Sequence, residues 1–381
     1  MTSPTDSSKR NDPSAPFSEI ESLAGAFHPH AIEVQDFSYY ALVIDVRNKA
    51  AYDDDHIPGA VQLVPLRPGF EGADFMAAAG PLDSGQANEL MDDQRELPAV
   101  LAALVAPIKR DQAILLYCGR GGLDSQPVAQ ALRWRGWTVD VLSGGWINYR
   151  RWVLAGLELL PRLVTFRVIA SSLGSETARV LNVLRELGHQ VLDVEGLAGA
   201  RNGALLSAAN SQPRQPPQAW FESQLLHALR GLQGSSPVWV TDTARTIGNL
   251  VLPGAWSDAI ARAPTTRLEM PPDERLRCWR EDEALLEQEP EVIVNAVAAL
   301  QPWSNTLLLK WTQLAATGFA DQLLLSLLTE GVDASYAKQA AMRDQSRHAL
   351  PAIRIESMLP EPLKTTVQSW LSAGAAGQPS I

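Results

Sequence analysis

The amino-acid sequence predicts an α/β protein with two successive sheet-containing domains and a helical C-terminal region. Short apolar runs alternate with amphipathic segments as far as residue 241, and strands that alternate with helices predict parallel sheets with covered faces. From about Pro272 onward the pattern is helical. The chain has 381 residues, of which 46% are hydrophobic, and this is enough for two cores.

The predicted elements follow from the spacing of apolar residues. Strands are expected at the short apolar runs 41–46, 113–117, 138–142, 163–170, 190–194 and 237–241. Each domain also has an amphipathic helix, at 127–134 in the first and 177–187 in the second. Gly136 and Gly188 are the expected ends of these helices, because glycine commonly occupies the position after the last turn.

These elements divide the chain into four predicted parts. They are a disordered polar tail at 1–18, the first α/β domain at 19–155, the second at 160–290 and a helical region at 291–381. The tail lacks the apolar stretch of a secretory signal. No apolar run reaches the roughly 18 residues of a membrane helix. We therefore expect a soluble cytoplasmic protein with no membrane contact.

Charge and cysteine content argue against several classes of function. The chain has 32 Lys and Arg residues against 43 Asp and Glu residues, for a net charge of −11. Sequence-independent binding of nucleic acid needs a basic surface. The two cysteines, Cys118 and Cys278, are too few for a disulfide scaffold or an all-cysteine zinc site. No metal site is predicted.

Cys118 begins a glycine-rich loop between a predicted strand and a predicted helix. The loop continues with Gly119, Arg120, Gly121, Gly122, Leu123, Asp124 and Ser125. Its glycines allow backbone N–H groups to point at one atom and form an anion-binding nest. Ser125 is the expected helix cap, and Arg120 and the helix N-terminus favour the nucleophilic thiolate. Cys118 is the candidate nucleophile, with a buried structural cysteine as the alternative; Cys278, in a helical pattern, is interpreted as structural.

Motifs around this loop resemble those of a rhodanese domain. They are the runs 45–47, 56–60 and 142–146, which accompany the cysteine loop. In that family the loop cysteine carries a persulfide or perselenide between a donor and an acceptor. The resemblance implies an ion pair or cap formed by Asp45 and Arg47, and a structural tie in the following turn by His56. Gly144 and Gly145 fit a tight turn beside the loop.

The second domain resembles that of the bacterial tRNA 2-selenouridine synthases. The matching runs are 191–198, 215–218, 221–222 and 242–248, which include Asp193, Glu195, Asp242 and Arg245. That family fuses a rhodanese domain to a P-loop-like domain. It replaces sulfur by selenium in 2-thiouridine at the tRNA wobble position, with selenophosphate, and can pass through an S-geranylated intermediate. The resemblance implies a rhodanese-like parallel-sheet domain, a P-loop NTPase-like α/β domain and a helical C-terminal region.

The phosphate loop of the second domain departs from the family pattern. The Walker A motif, G-x-x-x-x-G-K-[ST], aligns with residues that include Ala170, Gly174, Ser175, Glu176 and Thr177. Ala170 and Ser175 replace the two defining glycines, and Glu176 replaces the lysine. Exchanging attraction for repulsion at about 4 Å changes phosphate binding by up to about 8 kcal/mol at an effective dielectric constant near 20. Bound NTP is therefore not expected, and Thr177 is interpreted as a residue of the first helical turn.

The leading hypothesis is a tRNA 2-selenouridine synthase-like sulfur or selenium transferase in which Cys118 carries the transferred atom. No tightly bound cofactor is expected, whereas selenophosphate or a persulfide donor is implied as co-substrate. The implied partners are tRNA and a chalcogen donor protein. The charge of −11 and Asp124, which replaces a family arginine, weigh against tRNA. Two alternatives stay open: a rhodanese-type sulfurtransferase that acts on a small molecule or carrier protein, and a catalytically silent scaffold.

Overall fold

The computed structural model describes residues 31–32, 37–63, 97–119, 122, 124–172, 175–200, 215–234, 236–243, 245–281, 290–300, 303–318, 320–333 and 349–374. The predicted tail at 1–18 lies outside the described residues. So do Arg120, Gly121 and Leu123 of the cysteine loop, and Gly174 of the second loop. The chain divides into two compact units, Met1–Arg150 and Arg151–Ile381.

The first unit contains a five-stranded sheet in which all paired strands are parallel. Its strands are β1 (Ala31–Ile32), β2 (Leu42–Asp45), β3 (Val61–Gln62), β4 (Ala113–Tyr117) and β5 (Thr138–Leu142), in the spatial order β1-β5-β4-β2-β3. The helices are α1 (Lys49–Asp54), α2 (Ala99–Val105), α3 (Ser125–Trp134) and α4 (Gly145–Leu163). The predictions of strands at 113–117 and 138–142 are confirmed.

Local sequence explains where these helices begin and end. The Asn48 side chain accepts a hydrogen bond from the N–H of Ala51 at 2.9 Å and caps α1. On α3 the buried side carries Val128, Ala129 and Leu132, which join the core formed with the sheet. Gly136, with φ of +86°, follows α3 in the left-handed conformation that commonly ends a helix.

The second unit also contains a five-stranded parallel sheet. It consists of β6 (Phe166–Ser171), β7 (Gln190–Val191), β8 (Val238–Thr241), β11 (Thr265–Glu269) and β12 (Ala349–Arg354), in the spatial order β12-β11-β6-β8-β7. A separate antiparallel hairpin pairs β9 (Thr246–Ile247) with β10 (Leu250–Val251). The α/β class with parallel sheets is confirmed in both units.

Helices of the second unit cover its sheet and form a further cluster. They are α5 (Thr177–Glu186), α6 (Val194–Leu197), α7 (Gln218–Arg230), α8 (Gly254–Arg262), α9 (Pro272–Arg280), α10 (Pro290–Leu300), α11 (Asn305–Ala316), α12 (Ala320–Ser326), a π-helix at Leu327–Val332 and α13 (Pro360–Ser372). Leu184, Trp239 and Trp370 share one core, in which the two indole rings meet edge to face at 5.5 Å. Trp279 and Trp311 lie in the core of the helical cluster.

Strand β12 lies in the region 291–381 that the sequence predicts to be helical, and that prediction is wrong for these six residues. β12 is an outer strand of the sheet, and Ile353 is its one buried residue. Its residues Ala-Leu-Pro-Ala-Ile-Arg are largely apolar, but Pro351 in the middle of the run argues against a central strand.

The helix α4 is continuous through the predicted domain boundary at 155–160. The division between the two units, after Arg150, falls inside this helix, and Pro161 lies in its last turn. The domain limits therefore stay predictions. Within the described residues, no helix has both the length and the apolar character that a membrane crossing requires.

Candidate active site

Cys118 directly follows the central strand β4. This strand lies between β2 and β5, and all five of its residues are buried. The cysteine therefore leaves the sheet at the carboxyl ends of its parallel strands, which is the edge where open α/β sheets bind ligands. Cys118 is 1% exposed, so its side chain is shielded from bulk water.

Two helices begin beside Cys118. α3 starts at Ser125, where the cysteine loop ends, and α4 starts at Gly145. The N–H of Trp146 donates to the carbonyl oxygen of Cys118 at 2.9 Å, and the N–H of Ile147 donates to that of Gly119 at 3.3 Å. Helix N-termini carry partial positive charge. Both helices therefore favour an anion near the cysteine.

The contact with α4 also orients the backbone of the cysteine loop. Across a trans peptide bond, the carbonyl of Cys118 and the N–H of Gly119 point in opposite directions. Because Trp146 holds that carbonyl, the N–H of Gly119 points away from α4. A donor that α4 does not occupy is one that a backbone nest for an anion can use.

Gly144 and Gly145 form the turn between β5 and α4. Their φ values are +68° and +58°, in the left-handed region that favours glycine. A Cβ atom at Gly144 would lie 2.1 Å from Nδ2 of Asn148, and this Nδ2 donates to the carbonyl of Ser143 at 3.0 Å. A side chain at position 144 would therefore disturb the start of α4.

The predicted helix cap at Ser125 is wrong by one residue. Asp124 occupies the N-cap position, and Ser125 is the first residue of α3. The reason is the turn at Gly122, which has φ of +83° and accepts a hydrogen bond from the N–H of Gln126 at 2.8 Å. Ser125 is fully buried, and its Oγ makes no hydrogen bond to the residues that the structure describes.

Buried charged side chains support the strand ends next to the cysteine. Arg47 donates to Asp45 through Nε at 3.0 Å and through Nη2 at 2.6 Å, and Asp45 is fully buried. Burial by itself lowers the pKa of Arg47, but hydrogen bonding to Asp45 and the charge of Asp45 outweigh it, so the pKa is raised. A second buried carboxylate, Asp55, pairs with Arg150 at 3.5 Å.

His56 lies in the turn that follows α1. Its Nδ1 is 2.8 Å from the carbonyl oxygen of Tyr52, and the two rings stack with centroids 3.9 Å apart. The Tyr52 hydroxyl donates to the carbonyl of Ala60 at 2.7 Å. Burial lowers the pKa of His56. These contacts link both sides of the turn through one stacked pair.

The degenerate phosphate loop connects β6 to α5 in the second unit. Ala170 and Ser171 end the strand, Ser175 is buried, and Thr177 is the first residue of the helix. Oγ of Ser171 and Oγ1 of Thr177 lie 2.7 Å apart. These two hydroxyls therefore bind one another at the position where a phosphate loop would meet its ligand.

Glu176 occupies the N-cap of α5 in a left-handed conformation, with φ of 46°. It is the one non-glycine residue with positive φ in the described part of the chain, and this conformation costs an L residue about 1–2 kcal/mol. Its carboxylate pairs with Arg179 at 3.4 Å, and Arg179 also reaches Glu281 at 3.6 Å. A negative charge therefore sits at the helix N-terminus, where a bound phosphate would place its own.

Acidic residues follow the ends of β7 and β8, at the edge of the sheet where β6 also ends. We call this group of Asp193, Glu195 and Asp242 the acidic edge. Asp193 caps α6 by accepting a hydrogen bond from the N–H of Gly196 at 2.8 Å. Burial, together with the charges of Asp193 and Asp242, raises the pKa of Glu195 to about 7. Arg245 stands at the start of the hairpin, where its carbonyl accepts from the N–H of Leu252 at 2.9 Å. Among the described residues, no three His, Cys, Asp or Glu side chains are grouped so that they could hold a metal ion.

Both units match known protein families. Residues 31–151 match a family described as the rhodanese-like domain, and residues 164–349 match the tRNA 2-selenouridine synthase AAA domain. The chain is similar to the tRNA 2-selenouridine synthases in both units. The enzyme of that name from Chromohalobacter salexigens is 31% identical over 63% of this chain and 64% of its own length. The one from Hydrogenovibrio crunogenus is 31% identical over 51% of this chain and 54% of its own length.

The matches do not extend over the whole of these relatives. The chain spans about half the length of several synthases that it matches, such as the 44% covered in the one from Marinobacter nauticus. The rhodanese-like domain contains Cys118 and its supporting residues, whereas the synthase AAA domain contains the degenerate phosphate loop and the acidic edge.

Two glutamines of the synthase AAA domain have a structural role that the sequence alone does not reveal. The Gln215 amide donates to Ile247 O at 2.9 Å and accepts from Asn249 N at 2.8 Å. The Gln218 amide donates to Val251 O and accepts from Val251 N, both at 2.9 Å. Their side chains therefore hold the β9–β10 hairpin. The available sequence signal is the Gln-Pro-Pro-Gln run at 215–218, whose last residue begins α7.

Cys278 lies in α9 of the synthase AAA domain, far from any glycine loop in sequence. It is 1% exposed and belongs to the core that contains Trp239. Burial is the main cause that raises the pKa of its thiol to about 11. A thiol in this setting stays protonated near neutral pH and is a poor nucleophile.

Proposed function

We propose that this chain is a rhodanese-type sulfur- or selenotransferase in which Cys118 carries the transferred atom as a persulfide or perselenide. The observation that carries the proposal is the meeting of three features at Cys118: the end of the central strand, the start of α3 and the start of α4. The partial positive charges of the two helix starts favour a thiolate and the anion that it carries.

The proposed reaction is covalent catalysis in two displacements. With thiosulfate as the donor, the Cys118 thiolate attacks the outer sulfur and forms a new S–S bond, while the bond in thiosulfate breaks and sulfite leaves with the electron pair. An acceptor then attacks the outer sulfur and regenerates the thiolate. The N–H of Gly119 and the other amides of the loop through Asp124 cradle the outer atom, and Arg120 offsets its negative charge.

The name of the relatives points to tRNA as the acceptor, and we extend that assignment to this chain as part of the proposal. The substrate would be 2-thiouridine in tRNA, the selenium donor selenophosphate and the compartment the cytoplasm. A persulfide carrier protein is the corresponding donor for sulfur. No tightly bound cofactor is needed for either displacement.

The second unit supports a narrower statement about phosphate. Glu176 brings a negative charge to the start of α5, and Ser171 and Thr177 bind one another. We propose that this loop does not hold a nucleoside triphosphate or a diphosphate in the manner of a Walker A loop. The same observation favours a second candidate function, a sulfurtransferase whose acceptor is a small molecule or a carrier protein.

Persulfide formation tests the catalytic proposal. The protein is incubated with thiosulfate, and the peptide containing Cys118 is examined by mass spectrometry for one added sulfur atom. Cys118→Ser should lower sulfur transfer to cyanide by about 1000-fold or more, while Cys278→Ala should keep it. A Cys118→Ser variant with full activity contradicts the proposal. Absence of the adduct in the unaltered protein favours the third possibility, a catalytically silent scaffold.

Salt-dependent binding separates the two acceptors. Binding of tRNA that contains 2-thiouridine is measured against salt concentration, with an unmodified transcript as the control. A site that contacts several phosphates gives a steep decrease in affinity as salt rises. Persulfide formation without any tRNA binding would favour the small-molecule or carrier-protein acceptor.

A further inference from the structure

We propose that Asp55 is a positioning residue for the Cys118 loop and that it acts through Trp146 and Arg150. The inference rests on the proposed sulfur-transfer function of Cys118. None of the three residues is assigned a role by the cysteine-loop sequence. What brings them together is the contact between the end of α1 and the first two turns of α4.

One carboxylate oxygen of Asp55 binds two side chains of α4. Asp55 follows the last residue of α1 and is fully buried. Its Oδ2 accepts from Nε1 of Trp146 at 3.1 Å and lies 3.5 Å from Nη1 of Arg150. Residues four apart lie on the same face of a helix, so Asp55 fixes the rotation and depth of the start of α4.

Trp146 contacts both Asp55 and Cys118. The indole of Trp146 donates to Asp55, while the backbone N–H of Trp146 donates to the Cys118 carbonyl at 2.9 Å. A movement of Trp146 therefore moves the peptide that joins Cys118 to Gly119. Because that peptide sets the direction of the Gly119 N–H, it also moves a donor of the proposed cradle.

Asp55 is itself held rigidly by its backbone. Its N–H donates to the carbonyl of Ala51 at 3.2 Å, and its carbonyl accepts from Nη2 of Arg47 at 2.5 Å. Arg47 is bound in turn by Asp45, and its guanidinium lies 5.0 Å from the centre of a Trp146 ring. A continuous series of hydrogen bonds therefore runs from Asp45 through Arg47, Asp55 and Trp146 to Cys118.

The effect on catalysis should exceed the effect on folding. A displacement of about 1 Å at reacting groups can reduce a rate about 100-fold. Asp55→Asn keeps the shape but removes the charged oxygen that binds both Trp146 and Arg150. Trp146→Phe keeps an aromatic ring and the backbone N–H but removes the indole donor. Both should lower kcat for sulfur transfer from thiosulfate to cyanide by about 10- to 100-fold, with KM within about 3-fold of the unaltered value.

The double variant distinguishes positioning from two independent defects. If Asp55 acts through Trp146, Asp55→Asn combined with Trp146→Phe should be about as slow as the slower single variant, because contacting residues are non-additive. Asp53→Asn is the matched control. Asp53 lies on the same helix, α1, but is exposed and paired with Lys49, and its substitution should leave kcat unchanged. Thermal unfolding confirms that every variant is folded.

A second measurement keeps this test separate from the test of the proposed function. Alkylation of Cys118 by iodoacetamide, followed by peptide mass spectrometry with Cys278 as the internal reference, needs no turnover. A loosened loop should expose the buried thiol, so alkylation should be several-fold faster in both single variants. Folded variants with unaltered kcat and alkylation rate would overturn the inference, as would single losses that multiply. An unaltered protein that forms no persulfide would overturn the proposed function, and the alkylation rates would still decide the role of Asp55.

Discussion

The two units use the same local design, a loop from a parallel strand to a helix N-terminus, with opposite electrostatics. In the first, the starts of α3 and α4 lie beside Cys118, and the N–H of Trp146 donates to the Cys118 carbonyl. In the second, Glu176 places a carboxylate at the start of α5. The helix dipole favours an anion in both places. At Cys118 the helix starts favour a bound anion, whereas at α5 the Glu176 carboxylate is itself the anion at the helix start.

The contrast extends to what lies next to each loop. Beside Cys118 a buried ion pair between Asp45 and Arg47 is shielded from water. Beside Glu176 the partner Arg179 is 39% exposed, and such pairs contribute little to stability. The ion pair beside Cys118 is therefore buried, whereas the one beside the degenerate phosphate loop is partly exposed.

The largest predicted effect concerns the buried ion pair beside Cys118. Asp45→Ala leaves the buried Arg47 without its ion pair, and we expect the free energy of unfolding to fall by about 3–5 kcal/mol. Urea denaturation measures the change. Lys49→Ala removes an exposed pair on α1, with side chains 75% and 53% exposed, and should cost less than about 1 kcal/mol. Equal losses in the two variants would contradict the distinction between them.

The next prediction reverses the charge at the second loop. Glu176→Lys should raise the affinity for pyrophosphate or ATP by about 10- to 100-fold, since solvent and salt reduce the full Coulomb change. Isothermal titration calorimetry measures it. Glu176→Gly is the control, because glycine accepts the left-handed conformation without adding a positive charge. It should stabilise the unit by about 1 kcal/mol. Unchanged phosphate affinity in the lysine variant would show that the charge of Glu176 is not the main obstacle to phosphate binding by this loop.

The smallest predicted effect is a pH dependence of the acidic edge. Glu195 keeps its proton up to a pKa of about 7 in the folded state but loses it near the usual value of 4.5 when unfolded. The folded state therefore binds more protons between these values. The free energy of unfolding should fall as pH rises from about 4.5 to 7, by on the order of 1 kcal/mol because Glu195 is only partly shielded.

Unfolding in urea at several pH values checks this prediction. Glu195→Gln should remove this part of the pH dependence, and the exposed Glu356→Gln should keep it. A profile that the Glu195 variant leaves unchanged would assign the dependence to another group.

The parts of the fold that could be predicted are those encoded by neighbouring residues. The apolar runs at 113–117 and 138–142 are the strands β4 and β5, since a central strand is buried along its length. β12 could not be recognised because Pro351 interrupts its short apolar run, and proline within a run argues against a central strand. The hairpin of β9 and β10 depends on the side chains of Gln215 and Gln218, which strand patterns do not include.

The candidate site divides in the same way. Cys118 and its glycines could be recognised because the loop is continuous in sequence. Asp55 could not be linked to Trp146, which lies 91 residues away, because a run of three aspartates resembles a solvated helix end. The helix cap of α3 lies one residue before the predicted position because the backbone turn at Gly122 determines it.

The two hydrogen bonds between the Gln218 side chain and the Val251 backbone have a consequence for association between protein molecules. A two-stranded hairpin leaves a row of open amide and carbonyl groups on its outer side, which can recruit a strand from another molecule. At Val251 both groups are occupied by the Gln218 amide. A side chain thus stands in for a third strand, so this point of the hairpin offers no template on which a second molecule could assemble.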